Sequence, residues 1–256
     1  MDDNISREEA IYALQWHKDV GIDETVSDAP INRLKEKETP APVDVALATS
    51  DSRRLANEAA TLGELREAVE RFRGLEICAS ATRAVFADGV PTAPLMIVGE
   101  APGAEEDKQG VPFCGASGQL LEKALNAVGR RRDENYYISN MVFWRPPANR
   151  KPTDEETEAC LPFVEKHIAL IAPKLLVLTG ATAVQGLLKQ KEGVTRLRGR
   201  LFDYQNRYMK SPVPALPIFH PSYLLRSPQQ KKFLWRDMLA VEKILAPDSR
   251  TSLSRE

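Results

Sequence analysis

Four polar loops of the chain hold the residue types that could do chemistry. Each follows a short apolar run: residues 99–118 read GEAPGAEEDKQGVPFCGASG, 140–152 read NMVFWRPPANRKP, 179–183 read TGATA and 220–228 read HPSYLLRSP. Together they contain a histidine, an asparagine, carboxylates, hydroxyls and arginines. Such a set could bind a polar ligand, move protons or hold a phosphate, and the individual loops decide among these.

The first loop has the glycines of a phosphate cradle but not its motif. Neither G-x-x-x-x-G-K-[ST] nor G-x-G-x-x-G occurs in it. Its four acids, Glu100, Glu105, Glu106 and Asp107, would repel a triphosphate. Glu100 directly follows the apolar run, so we expect its side chain to face a cleft. The other three could equally form a charged turn at the surface.

His220 is the candidate catalytic or binding residue among the three histidines. It ends the apolar run ALPIF, and Pro221 restricts the backbone that follows it. A histidine in this place is suited to proton transfer or hydrogen bonding to a ligand. His17 lies in a predicted N-terminal helix and His167 on a helix with an apolar face, so we expect both to be structural or exposed.

Apolar runs and amphipathic helices alternate along most of the chain. This alternation predicts a parallel sheet with helices on both of its faces. In such a sheet ligands bind at the carboxyl ends of the strands, where all four loops begin. The loops are therefore expected to form one site.

Composition and charge suggest how the chain is divided. It has 256 residues, 43% of them hydrophobic, a net charge of −1, and no apolar run of about 18 residues. Residues 1–60 hold 7 basic and 13 acidic residues, whereas the remainder has a net charge of +5. We expect an N-terminal helix and polar linker over 1–60, a catalytic domain over 61–246 and a tail over 247–256, in a soluble, cytoplasmic and nucleoid-associated protein.

Three of the loops match motifs of the uracil-DNA glycosylase superfamily, and the chain most resembles its family 4. The matching stretches are GEAPGAEEDKQGVPFCGASGQLL, ISNMVFWRPPANRKP and HPSYLLR, in this order. The resemblance implies a three-layer α/β/α sandwich with a central four-stranded parallel sheet. It also implies a monofunctional DNA glycosylase of base excision repair, which hydrolyses the N-glycosidic bond of uracil and leaves an abasic site.

The resemblance also assigns residues to a base pocket. An enzyme of this kind flips a nucleotide out of the DNA, stacks the base and reads its Watson–Crick edge. Phe113 would stack on uracil, the Asn140 amide would pair with O4 and N3–H, and His220 would donate a hydrogen bond to O2. Glu106 or a neighbouring residue would exclude thymine, since the tyrosine that usually blocks C5 is missing. The base range stays open to hypoxanthine and xanthine.

Water activation departs from the pattern of other branches. Ala101 stands where they carry an aspartate, so the catalytic candidate becomes Glu100, or a water held by the main chain. A dissociative route, in which the base leaves before water attacks, asks little of a general base. We therefore expect Glu100→Gln to lose much less activity than Asn140→Ala and His220→Ala combined.

A second set of residues is expected to hold DNA. Hydroxyl, backbone and guanidinium groups contact phosphates, and apolar side chains fill the space left by a flipped base. The phosphate candidates are Ser117, Gly118, Arg145, Arg150, Ser222 and Arg226. The wedge candidates are Leu224 and Leu225, whose alternative role is packing onto the closing helix.

The cysteines depart from the family 4 pattern. Members of that family typically bind a [4Fe–4S] cluster through four cysteines, but Trp144 occupies one of these positions and only Cys160 clearly matches a ligand. Cys78 lies near the N-terminal pair without its C-x-x-C partner, and Cys114 belongs to the pocket loop. From these three cysteines we expect no cofactor, with Trp144 packing where the cluster usually sits.

Uracil-containing DNA, single- or double-stranded, is the expected partner of a monomeric protein whose N-terminal helix could recruit another protein. Two other functions stay open. One is a catalytically weak relative that binds DNA lesions, and the other is a nucleoside hydrolase with the same fold.

Overall fold

The computed structural model describes residues 44–246 and, further towards the N-terminus, residues 11, 12 and 15. The chain divides into two compact units, Met1–Pro42 and Val43–Glu256. In the first unit the three described residues are helical. The rest of the predicted N-terminal helix, including His17, and the tail over 247–256 lie outside the described residues. Among the helices that are described, none has both the length and the apolar character needed to cross a membrane.

The second unit alternates strands and helices as the sequence predicts. Its strands are β1 (Ala87–Gly89), β2 (Leu95–Gly99), β3 (Tyr136–Asn140), β4 (Leu175–Thr179), β5 (Phe202–Tyr204) and β6 (Val213–Ile218). Its helices are α1 (Val45–Glu58), α2 (Leu62–Arg71), α3 (Ile77–Ser80), α4 (Ala104–Gln109), α5 (Ala116–Asn126), α6 (Asp154–Ile171), α7 (Gly180–Leu188), α8 (Val194–Leu197), α9 (Pro221–Arg226) and α10 (Lys231–Leu245). Short 3-10 turns cover Pro147–Asn149 and Pro228–Gln230.

The strands form one sheet in the order β1-β3-β2-β4-β6-β5. The four central strands are parallel, which confirms the predicted α/β class and its four-stranded parallel core. β1 and β5 add an antiparallel strand at each edge. Each has only three residues, which is too short for an alternating pattern to reveal in the sequence.

Side chains of the central strands alternate between two apolar layers, as the geometry of a strand requires. Along β2, Met96 and Val98 pack with residues of α1, α2 and α6, whereas Leu95 and Ile97 pack with residues of α5, α9 and α10. The sheet therefore lies between two helical layers. Its register pairs Gly99 with Asn140, so that β2 and β3 end level with each other.

A helix occupies part of the segment expected to be a linker. Residues up to 60 are assigned to the linker from their polar composition, yet Val45–Glu58 forms α1, with Asp44 as its N-cap. The helix buries a stripe of small side chains, Ala48, Ser52 and Ala56, in the core of the second unit. Small residues allow close helix packing but give a weak hydrophobic pattern, which explains why composition suggested a linker.

His167 is structural, in agreement with its position on an apolar helix face. Its ring is fully buried in α6, stacks on Phe86 at a centroid distance of 4.4 Å and lies 2.9 Å from the Tyr137 hydroxyl through Nε2. Burial lowers its pKa to about 3, with the Arg66 charge as a second cause. The imidazole is therefore neutral at physiological pH.

Candidate active site

A cavity of about 440 Å³ opens at the carboxyl ends of β2 and β3 and beside the start of α9. The loops after β2, β3 and β6 all contribute to its lining. All six residues predicted to touch the base or the reacting atoms line it: Glu100, Ala101, Glu106, Phe113, Asn140 and His220. The structure thus brings these residues together, and their individual roles stay predictions.

Gly99 allows the aromatic and amide walls of the cavity to close on the strand. A Cβ at this position would lie 2.3 Å from Phe113 Cζ and 2.4 Å from Asn140 Oδ1. Both distances are far below van der Waals contact, so any larger residue would push the two side chains apart. The glycine at the end of β2 therefore serves close packing.

Asn140 is the last residue of β3 and is 2% exposed. Its Oδ1 is buried and has no hydrogen-bond partner among the described residues. A buried polar atom without a partner costs about 1–3 kcal/mol. An unpaired acceptor in the wall of a cavity indicates a ligand that supplies a donor.

His220 caps α9 and presents a neutral ring to the cavity. Its Nδ1 lies 3.2 Å from the Ser222 backbone nitrogen and 2.8 Å from Ser222 Oγ. A backbone N–H can only donate, so Nδ1 accepts and the ring proton sits on Nε2. Burial lowers the pKa of His220, while the nearby Glu100 carboxylate opposes that shift. The site therefore holds an uncharged imidazole with an Nε2–H donor.

The TGATA loop supports both His220 and Glu100. Gly180 has φ +87°, and a Cβ there would lie 3.0 Å from His220 Cβ. Thr182, two residues on, donates its hydroxyl to Glu100 Oε2 at 2.6 Å. Thr182 is buried and was not identified from the sequence. Its position directly after a strand end was the only available signal, and it did not distinguish a carboxylate-orienting threonine from an ordinary helix residue.

Two acids of the first loop are structural links. Glu106 accepts the Gly103 N–H at Oε2 (3.1 Å) and the Gly115 N–H at Oε1 (2.8 Å), so it joins the starts of α4 and α5. Asp107 is buried and accepts hydrogen bonds from the backbone N–H and the hydroxyl of Thr82, both at 2.8 Å. Both carboxylate oxygens of Glu106 thus already accept a hydrogen bond. Exclusion of thymine by this residue stays a prediction.

The predicted phosphate contacts divide into two groups. Ser117, Arg150, Ser222 and Arg226 line the cavity, whereas Gly118 and Arg145 do not. The Arg150 guanidinium also pairs in two places with the Glu156 carboxylate, at 2.6 and 2.8 Å.

Leu224 corrects the wedge prediction. It is 0% exposed and packs in the layer that contains α5 and α10, so it cannot enter DNA without unfolding α9. Adjacent helix residues point in different directions, and Leu225 is accordingly 41% exposed. Leu225 does not line the cavity, and it stays the wedge candidate.

Trp144 occupies a position where the resemblance expects a cysteine ligand of the iron–sulfur cluster. It lies among other aromatic side chains. Trp144 is 2% exposed and packs against Phe72 and Phe143, with ring centroids 5.7 and 6.0 Å apart. Burial raises the pKa of the Cys78 thiol to about 11 and also raises that of Cys160. Both thiols are therefore protonated at neutral pH.

Comparison with known proteins gives a consistent family. The model of the Uracil DNA glycosylase superfamily matches residues 86–239. The chain is 32% identical to the Type-4 uracil-DNA glycosylase of Sulfurisphaera tokodaii over 75% of its own length and 89% of the relative. It is 41% identical to that of Thermotoga maritima, over 65% and 86% of the two chains. A third Type-4 uracil-DNA glycosylase, from Pyrobaculum aerophilum, is 38% identical over 60% and 80%.

These relatives overturn the expectation of no cofactor. Type-4 uracil-DNA glycosylases are the branch that contains an iron–sulfur cluster, so the expectation was wrong for a chain this similar to them. The donor set itself does not fit a four-cysteine cluster, since the chain has three cysteines and Cys114 lies in the active-site loop. No group of three or more histidine, cysteine or acidic side chains suited to a metal occurs within the described residues. No step of the chemistry below passes through a cluster.

Proposed function

The chain belongs to the uracil-DNA glycosylase superfamily, and we propose that its cavity binds a uracil flipped out of DNA and promotes hydrolysis of the bond between N1 and C1′. Its activity is that of a uracil-DNA glycosylase, a hydrolase of DNA repair that acts on uracil-containing DNA. The reaction releases the base and leaves an abasic site. The properties of the cavity support a specific role for each wall.

Asn140 carries the proposal. Its buried and unpaired Oδ1 is suited to accept N3–H of uracil, and its Nδ2 to donate to O4. Cytosine presents an amino donor and an unprotonated N3 at these positions, so the same amide meets mismatched partners. A polar group that the wrong base leaves unpaired gives strong discrimination. Phe113 supplies the apolar surface on which the base stacks.

His220 stabilises the departing base. As the N1–C1′ bond breaks, its electron pair moves into the uracil ring and negative charge develops on O2. The neutral imidazole donates Nε2–H to that oxygen, in a buried place where a fixed donor is worth more than in water. Because Ser222 already occupies Nδ1, the ring is held in the donating tautomer before substrate binds.

Glu100 faces the sugar side of the reaction. Its carboxylate is fixed at Oε2 by Thr182, and the other oxygen is suited to orient the attacking water or to stabilise positive charge on the sugar. The water adds hydroxide to C1′, and its proton leaves through the carboxylate or solvent. We propose a supporting role, so Glu100→Gln should lose much less activity than Asn140→Ala and His220→Ala combined. Complete loss in Glu100→Gln would indicate an obligatory base.

Further properties extend the proposal. Ser117, Arg150, Ser222 and Arg226 at the cavity rim are suited to hold phosphates. We propose a monomeric, monofunctional enzyme of the cytoplasm and nucleoid, whose site residues all lie within the stretch 61–246. We also propose that the predicted N-terminal helix recruits a protein partner.

One assay tests the function against its two rivals. The protein is incubated with oligonucleotides that contain uracil, hypoxanthine or thymine, and abasic sites are cleaved with alkali. We expect cleavage of the uracil strand, and losses of about 100-fold or more in Asn140→Ala and in His220→Ala. Binding without cleavage would support a lesion-binding protein instead. Activity confined to free nucleosides would support a nucleoside hydrolase.

A further inference from the structure

Phe113 holds its ring in the cavity at a conformational cost. Its backbone φ is +55°, in the left-handed region that a bulky residue rarely adopts. Conformations of this kind are strained and persist only where the surroundings enforce them. The ring itself contacts Gly99 on one side and is 6.1 Å from the His220 ring, centroid to centroid. These ring contacts do not hold the backbone torsion itself. We therefore expect contacts of the backbone to hold φ of Phe113 at its left-handed value.

Arg132 contacts the backbone on both sides of that strained torsion. Its Nη1 donates to the Pro112 carbonyl at 2.8 Å, and its Nη2 donates to the Phe113 carbonyl at 3.1 Å. These two carbonyls flank the N–Cα bond about which φ of Phe113 is measured. A planar guanidinium that binds both at once restrains their relative orientation, and so restrains φ and ψ of Phe113 together.

The guanidinium is itself held from the opposite direction. Asp88 of β1 accepts from Nη1 at 3.0 Å, and Nε lies 3.3 Å from the Tyr136 hydroxyl of β3. The Arg132 side chain is only 16% exposed. Residues of two strands of the sheet thus hold the Arg132 guanidinium in the place from which it contacts the Phe113 backbone. Arg132 itself does not line the cavity.

Close packing of Gly118 adds to the constraint on the Phe113 carbonyl. Gly118, in the first turn of α5, lies against the same carbonyl, since a Cβ there would be 1.8 Å from the Phe113 oxygen. The Phe113 carbonyl is therefore confined between Gly118 and Arg132. This contact also explains the glycine that the sequence suggested for phosphate binding.

We propose that Arg132 is a positioning residue that holds Phe113 in its stacking geometry, an inference that rests on the proposed excision of uracil. Removal of the guanidinium releases the left-handed backbone, and the Phe113 ring leaves the plane that the base requires. DNA binding outside the pocket is unaffected. The effect therefore falls on the rate of the chemical step.

A double-mutant cycle between Arg132→Met and Phe113→Leu tests this role in the full-length protein. Single-turnover release of uracil is measured, together with the Kd for a matched oligonucleotide without uracil, which reports DNA binding outside the pocket. We expect Arg132→Met to slow release by about 10- to 100-fold. In the Phe113→Leu background the same change should alter the rate by no more than about twofold. Kd for DNA should likewise stay within about twofold in Arg132→Met.

The neighbouring Arg131 provides the matched control. Its side chain is 57% exposed and pairs with Glu134 at 2.9 Å and Asp133 at 3.5 Å. Arg131→Met removes the same charge and should leave the rate unchanged. Arg132→Lys, which keeps the charge but cannot bind both carbonyls, should give an intermediate loss, and it replaces Arg132→Met in the cycle if that variant does not fold.

The outcomes separate this proposal from the proposed function. Equal losses in both Phe113 backgrounds would overturn the positioning role, as would an equal loss in Arg131→Met. A wild-type protein that releases no uracil would contradict the function itself. A wild-type protein that releases uracil while the cycle is additive contradicts only the role of Arg132.

Discussion

At the scale of single residues, the role proposed for His220 depends on its protonation state. Burial lowers its pKa, so the ring stays neutral down to a pH below the ordinary histidine value of about 6.5. When pH falls below the lowered pKa of His220, Nδ1 gains a proton and becomes a hydrogen-bond donor. It then faces the Ser222 N–H, which is also a donor. We expect kcat/KM for uracil release to be constant from neutral pH to below about 6.5 and then to fall.

A pH–rate profile of His220→Gln checks the assignment. Glutamine retains a donor but does not titrate, so the overall rate should drop while the acidic decline disappears. If the decline persists at the same pH in His220→Gln, a different group titrates there. Arg131→Met, which is remote from the ring, should keep the wild-type profile.

Sequence and structure agree best for residues that occupy fixed places in a motif. Asn140, Phe113 and His220 could be assigned because each lies in a recognisable loop. Thr182 and Arg132 could not, since their importance depends on partners 82 and 19 or 20 residues away. The wedge prediction could not separate Leu224 from Leu225 for a related reason. The two adjacent leucines look alike in the sequence, but one is buried and the other is exposed.

At the scale of elements, a buried ion pair joins the segment after α8 to helix α10. Arg198 binds the Asp237 carboxylate through Nη2, with Nε to Oδ2 at 3.4 Å, and donates to the Phe233 carbonyl. Their side chains are 15% and 2% exposed. Arg198 thus serves the fold.

Breaking this pair should destabilise the protein more than replacing it. Asp237→Asn leaves a buried guanidinium without its counter-charge, and we expect the free energy of unfolding to fall by about 3 kcal/mol. Arg198→Met combined with Asp237→Leu removes both charges and should recover most of that loss. Denaturant unfolding measures both. The exposed Arg54 on α1, paired with Asp51 and Glu58, provides a control, and Arg54→Met should unfold like the wild type.

Either of two results would contradict this expectation. Asp237→Asn with wild-type stability would indicate that water or another group satisfies Arg198. A double variant as unstable as Asp237→Asn would assign the loss to packing. Uracil release should survive in all variants at low temperature, because neither residue lines the cavity.

Element types were predictable where hydrophobic periodicity was strong. The four parallel strands and the helices between them follow from the alternation of apolar runs and amphipathic segments. α1 was missed because it buries small side chains. The edge strands were missed because tertiary pairing, and not local propensity, defines a three-residue strand.

At the scale of the whole molecule, the domain boundary depends on α1. This helix packs on α6, its residues Ala48 and Ala56 belong to the main apolar layer, and Asn57 accepts a hydrogen bond from the Tyr208 hydroxyl at 2.7 Å. A boundary at residue 61 would expose this face of α6. A boundary at residue 44 would keep the second compact unit whole.

Truncation distinguishes these two boundaries. A chain that begins at residue 44 should have the same melting temperature as the second unit in the full-length protein. A chain that begins at residue 61 should melt at a temperature lower by about 5 °C or more. Both should release uracil at low temperature, because every cavity residue lies beyond residue 61. In the full-length chain, Ala56→Asp should reproduce the loss, since Ala56 is 0% exposed, and Leu47→Asp should not, since Leu47 is 67% exposed. Equal melting of the two truncated chains would put the boundary at residue 61 and make α1 dispensable.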